Sequence, residues 1–166
     1  MTSPFSNKIL TLAETVLTAA RKNKLKIITA ESCTGGLVAA CLTEIAGSSD
    51  VVECGVVTYS YQSKIDLLGV DEDTLQEYGA VSEETAAEMA DGALDLSPAD
   101  ISVAVTGIAG PGGATPGKPV GLVYIGIATR DGGVRTIQNN FSGSREQVRM
   151  ATVEKALQEL LAEITT

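Results

Sequence analysis

Short apolar runs at residues 25–29 and 101–105, each followed or preceded by stretches of helical periodicity, constrain the fold of this chain most. Each run is brief, bounded and partly β-branched, which reads as a buried strand. Strands of this kind, alternating with helices, belong in a mostly parallel sheet with helices on both faces. Residues 7–22 place Ile9, Leu10, Leu12, Val16, Leu17 and Ala20 at helical spacing. Thr34 to Ala46 reads as a helix closed by Gly47, and a β-rich run covers Val51 to Tyr59. A helical turn through Lys64, Leu67 and Leu68 stops at Gly69. Ser82, followed by Glu83 and Glu84, has the character of an N-cap for a helix reaching about Leu94. Val123–Ala128 and Val134–Ile137 flank Asp131-Gly132-Gly133, a hairpin signal. Ser144-x-x-Gln147 is a capping-box pattern opening a last helix that buries Val153, Ala156, Leu157, Leu160, Leu161 and Ile164. The expected fold is therefore α/β, with a mixed, mostly parallel sheet of about five strands and one antiparallel member.

The remaining bounds are simple. A length of 166 residues suits one domain over residues 1–166, and no repeat or linker divides it. With 21 acidic and 12 basic residues the net charge is −9, which argues against nucleic acid as a partner. A local cluster of lysine and arginine still permits a small phosphorylated ligand. No charged-then-apolar leader pattern is present, and no apolar run approaches the roughly 20 residues that span a bilayer, so no membrane partner is expected. Cys33, Cys41 and Cys54 lack metal-type spacing and are odd in number, which points to a reduced cytoplasm and to no bound metal.

The strongest chemical signal is Ala30-Glu31-Ser32-Cys33-Thr34-Gly35-Gly36 in a chain with no histidine. A strand delivers Ser32 to a helix start, where unpaired N–H groups near Gly35 and Gly36 can face an anion. Without imidazole, the base for a nucleophilic serine is a lysine, a tyrosine, a carboxylate or water. The alternative is an N-cap serine ahead of packing glycines. Cys33 ranks below Ser32 as a nucleophile, because no histidine is present to stabilise its thiolate.

Ligands of such sheets bind beyond the carboxyl ends of the strands. Three segments leave strands there and should converge: Glu31–Gly36, Thr58–Lys64 and Thr106–Gly113. Lys64, partly desolvated one turn into a helix, would have a lowered pKa and accept the serine proton; otherwise it is an ordinary surface lysine. The glycine-rich stretch from Thr106, with Gly107 and Gly110, is either an anion-binding nest or a flexible loop. Gly112-x-x-x-x-Gly117-Lys118 nears a P-loop but fails, since Pro119 replaces Ser/Thr and a strand follows. Arg145 at the last helix start is a phosphate or carboxylate grip, or a solvated side chain.

In this order the segments resemble the CinA C-terminal domain family, which includes nicotinamide mononucleotide (NMN) amidohydrolases. The resemblance rests on Glu31-Ser32-Cys33-Thr34-Gly35-Gly36, Tyr59-Ser60 with Lys64, Thr106-Gly107-Ile108-Ala109-Gly110-Pro111 with Gly113, and Lys118-Pro119-Val120-Gly121. It covers about residues 7–164. It implies a three-layer α/β/α sandwich and hydrolysis of the NMN carboxamide to nicotinate mononucleotide and ammonia, without a cofactor or metal. By similarity Ser32 is the nucleophile and Lys64 its base, with Tyr59 and Thr106 in support. Arg145 is a substrate contact, and either it or Lys118 binds the phosphate. Where relatives often carry asparagine this chain has Tyr61, which puts any contact there in doubt. The resemblance also implies a homo-oligomer, and a stand-alone form lacking the molybdopterin-binding-like domain of larger relatives. Two rival readings remain: a non-catalytic competence-related regulatory or partner-binding module, and a pyridine-nucleotide binder without turnover.

Overall fold

The computed structural model describes residues 3–166. Five strands form a single sheet: β1 (Ile27–Glu31), β2 (Val52–Val57), β3 (Ile101–Gly107), β4 (Leu122–Thr129) and β5 (Gly133–Asn140). Their order is β2-β1-β3-β4-β5. β1 runs parallel to both β2 and β3, while β4 pairs antiparallel with β3 and with β5. β4 alone therefore opposes the other four, as the sequence order implies.

Six helices cover the two faces: α1 (Asn7–Asn23), α2 (Leu37–Thr43), α3 (Tyr61–Leu68), α4 (Glu72–Tyr78), α5 (Glu83–Leu96) and α6 (Arg145–Ile164). Side chains of a strand alternate between faces, and the core divides accordingly. Ile27, Ile101, Val103, Val105 and Ile125 pack under α1, α2 and α6. Ile28, Ala30, Ala104 and Ala128 pack with α5 and with Leu68, Val70 and Leu75. The second face is lined by small residues, so α5 lies very close to the sheet. A Cβ on Gly126 of β4 would stand 2.4 Å from the Ala86 carbonyl oxygen of α5. The result is the three-layer sandwich expected.

Three local differences have physical causes. β1 extends to Glu31, because its ladder with β2 and β3 continues to Val57 and Val105. α2 starts at Leu37 and not at Thr34, since Gly35 and Gly36 take φ of +59° and +101°, outside helical geometry. It ends at Thr43, ahead of a 3-10 turn at Ser48–Asp50. α4 has no counterpart in the sequence reading. It buries only Leu75 and is held by its Asp71 cap, so it carries almost no apolar periodicity.

Candidate active site

The carboxyl ends of β1, β2 and β3 lie side by side, and chain leaving each of them builds one cavity. Ser32 follows β1 directly; its N–H donates to the Val105 carbonyl at 3.0 Å, prolonging the ladder by one rung. The chain then turns, with the Gly35 N–H donating to the Ser32 carbonyl at 3.0 Å. The turn is anchored from behind by Glu31, which has 1% exposure. Its carboxylate accepts from the Thr34 hydroxyl at 2.5 Å and from the N–H groups of Gly36, Val38 and Ala39 at 3.1, 3.0 and 2.8 Å. A buried carboxylate with four donors caps α2, a task the sequence reading had not assigned to Glu31.

This changes the expectation for the two glycines. The Gly35 and Gly36 amides, read as anion donors, are engaged by the Ser32 carbonyl and by Glu31. Neither residue lines the cavity. What they supply is the left-handed backbone that lets the chain enter α2.

Lys64 sits in α3, one turn beyond the Ser60 N-cap, whose capping box with Ser63 fixes the helix start. Its side chain is wholly buried and runs back over the strand end. The Nζ donates to Ser32 Oγ at 2.9 Å and to the Thr58 carbonyl at 2.5 Å. Burial disfavours the ammonium and lowers its pKa from 10.5 to about 8. Ser32 keeps 9% exposure, enough to face the cavity. The adjacent Cys33 also reaches the cavity, but burial pushes its pKa up to about 12 and keeps the thiol protonated.

The cavity holds about 190 Å³ and brings together Ser32 and Cys33, Tyr59, and Thr106, Gly107 and Ala109. The three segments expected to converge do so. Arg145, the first residue of α6, closes one side, with Nη1 donating to the Gly110 carbonyl at 2.9 Å and Nη2 to the Tyr59 hydroxyl at 3.1 Å. Thr106 Oγ1 donates to the Ala80 carbonyl at 2.6 Å, so it ties the end of β3 to the segment before α5. Gly107 is required sterically, since a Cβ there would stand 2.6 Å from Val123 Cγ2. Gly110 offers the site a carbonyl that holds Arg145, and does not itself line the cavity.

Lys118, named with Arg145 as a phosphate contact, lies outside this cavity. Its Nζ donates to the Tyr78 carbonyl. Tyr61 has a similar duty, its hydroxyl accepting from the Ala80 N–H at 3.3 Å. Both support the segment containing Ala80 and Val81, a fourth wall that the sequence reading missed. Two small residues between helices carry no chemical signal, and only packing brings them here. A larger groove of about 700 Å³ lies between α1 and the end of α6. Its lining of threonines, Glu14, Lys22 and Asn23 holds no nucleophile–base pair. Among the described residues, no group of three or more His, Cys, Asp and Glu side chains stands ready to hold a metal. No helix among them is long and apolar enough to cross a membrane.

The CinA C-terminal domain model matches residues 9–164. A protein of Enterobacter agglomerans named nicotinamide-nucleotide amidohydrolase PncC is 53% identical over 134 residues, covering 81% of this chain and 82% of that protein. A CinA-like protein of Chlorobaculum tepidum is 49% identical over 164 residues, 96% of this chain but 39% of its own length. The chain thus spans a little over a third of several of the longer curated relatives. The crystal structure of the competence/damage inducible protein CihA from Agrobacterium tumefaciens superposes with a TM-score of 0.95 at 48% identity, each chain fully covered.

Proposed function

This chain belongs to the CinA C-terminal domain family, and we propose that it hydrolyses the carboxamide of NMN to nicotinate mononucleotide and ammonia, with Ser32 as nucleophile and Lys64 as general base. The observation that carries the reading is a wholly buried lysine 2.9 Å from a serine hydroxyl at a strand end. The amidohydrolase name of a 53% identical relative supports the substrate.

The geometry supports the following steps. Neutral Lys64 takes the Ser32 proton as Oγ attacks the carboxamide carbon, giving a tetrahedral oxyanion. The resulting ammonium returns the proton to the departing nitrogen, ammonia leaves, and an acyl-serine remains. Water, deprotonated by Lys64, then attacks the acyl carbon and releases the carboxylate product. Thr58, through its carbonyl, holds Nζ in place for both half-reactions.

At about 190 Å³ the cavity is smaller than the roughly 300 Å³ at which ligand pockets begin. It admits the pyridine carboxamide, and leaves the ribose phosphate to the rim. There Arg145 lines the cavity and Lys118 does not, which favours Arg145 as the phosphate contact. A cytoplasmic place in pyridine nucleotide salvage accords with this reaction. The relatives named only for competence or damage induction keep a second reading open, a module that binds without turnover.

One assay separates the readings. Purified protein incubated with NMN is expected to release ammonia, and Ser32→Ala to release none above background. Equal ammonia from both, or none from either at high enzyme concentration, sinks the hydrolytic assignment.

A further inference from the structure

Arg149 was not singled out by its sequence context, and the reaction as described does not use it. It lies one turn after Arg145 on α6, and its half-buried guanidinium grips the turn that follows the nucleophile. Nε donates to the Cys33 carbonyl at 3.2 Å and Nη2 to the Thr34 carbonyl at 3.0 Å. The contact is close to the backbone itself, because a Cβ on Gly35 would stand 3.4 Å from Nη2.

Peptide units are planar and trans, so fixing a carbonyl also fixes the N–H of the next residue in the opposite sense. Thr34 C=O, held by Arg149 together with the Leu37 N–H at 3.2 Å, sets the Gly35 N–H, which donates to the Ser32 carbonyl at 3.0 Å. The Ser32 carbonyl in turn sets the Cys33 N–H on the other side of its own peptide plane. Holding Cys33 C=O likewise sets the Thr34 N–H. Glu31 meanwhile consumes the Gly36, Val38 and Ala39 amides. Among the described residues, the Cys33 and Thr34 N–H groups meet no oxygen acceptor. They are the donors beside Ser32 that have no oxygen partner.

We propose that Arg149 is a positioning residue for the reaction at Ser32: it locks the peptide planes of the Cys33–Gly35 turn so that the Cys33 N–H is presented to the oxyanion. This rests on the reading of Ser32 as nucleophile. Preorganised donors are effective because they need no reorganisation as charge develops. Losing Arg149 frees the Cys33 carbonyl to turn toward water and leaves Thr34 C=O to the Leu37 N–H alone, so the turn loosens and its donors with it. The acid–base pair is untouched, since Lys64 is held from α3 by Ser32 and Thr58.

The test uses a fluorophosphonate probe as well as NMN. Ser32 Oγ attacks phosphorus, its proton passes to Lys64, fluoride leaves, and the phosphoryl oxygen needs the same donor as a carbonyl oxygen. Labelling of Ser32 is followed by intact mass for wild type, Arg149→Ala and Arg149→Lys, with and without millimolar guanidinium chloride. Arg149→Ala is expected to label about 10- to 100-fold more slowly, with guanidinium restoring much of the loss and Arg149→Lys intermediate. With NMN, kcat falls by a similar factor, KM changes little, and the acid limb of the pH profile stays in place. Labelling of Arg149→Ala at the wild-type rate overturns the proposal while leaving Ser32 as nucleophile. A slow rate that guanidinium does not restore, together with a lowered melting temperature, assigns Arg149 to packing alone and also overturns it. Wild-type protein that does not label at Ser32 removes the nucleophile reading and this inference with it. Should Arg149→Ala fail to fold, Arg149→Lys decides, unchanged labelling in that variant overturning the role.

Discussion

Burial of Lys64 costs stability and, with Lys64 as the proposed base, supplies reactivity. With its pKa brought down to about 8, about a tenth of the side chain is neutral at pH 7. Amidase activity should therefore rise with pH and level off above about 8; a profile flat from pH 6 to 9 would exclude Lys64 as the base. The same shift costs folding energy. Below pH 8 the lysine is charged in both states but desolvated only in the folded one, a cost on the order of 3 kcal/mol for a shift from 10.5 to about 8. Between about pH 8 and 10.5 the unfolded chain binds more protons, so wild-type stability gains with pH across that window. Lys64→Met removes the charge but leaves the Thr58 carbonyl without its lysine donor, which offsets about 1–3 kcal/mol. The expected outcome is an inactive protein that melts above wild type at pH 7, with the gap closing toward pH 10. A gap of constant size over that range would show that the lysine charge is not the cause. Ser32, the Thr106 segment and Lys64 were legible as residues because serine, lysine and glycine in that order are chemically unusual. Glu31 and Arg149 were not, since a carboxylate and an arginine read equally well as solvated charges.

At the scale of elements, placement of Lys64, the proposed base, depends on how α3 meets α5. Gly92 lies inside α5, and a Cβ there would stand 1.8 Å from the Leu68 carbonyl oxygen at the end of α3. Helix propensity alone favours alanine over glycine by about 1 kcal/mol. The contact is with backbone, however, so the helices must move apart, and such overpacking costs about 1–3 kcal/mol. Gly92→Ala is therefore expected to lower the denaturant midpoint, and to lower activity as well, because Lys64 is one turn upstream of Leu68 in α3. An unchanged or raised midpoint would mean that the two helices are free to adjust. Elements with an apolar stripe or a capping box, such as α1 and α6, were readable to within a residue or two. α4 was not, because its one buried side chain leaves no period to read.

For the whole molecule, the candidate site exists only when the sheet is complete. Ser32 follows β1, Lys64 comes from α3, which follows β2, Thr106 lies at the end of β3 and Arg145 opens α6. No subset of neighbouring residues holds two of them. Activity on NMN and far-UV circular dichroism should consequently be lost at one urea midpoint, as for a two-state domain. Activity lost at clearly lower urea would show α6, with its two arginines, parting from the sheet first. The sequence by itself determined the layer order, the lone antiparallel strand, and a serine at a strand end in a chain without histidine, because periodicity and residue chemistry are local properties. Tertiary structure alone decided which polar groups are already paired. It withdrew the Gly35 and Gly36 amides and Lys118 from the cavity, added Ala80 and Val81, and set Arg149 on the turn. The reason is physical: hydrogen-bond partners tens of residues apart are matched by packing, and nothing in the local sequence records whether a donor is free or spent.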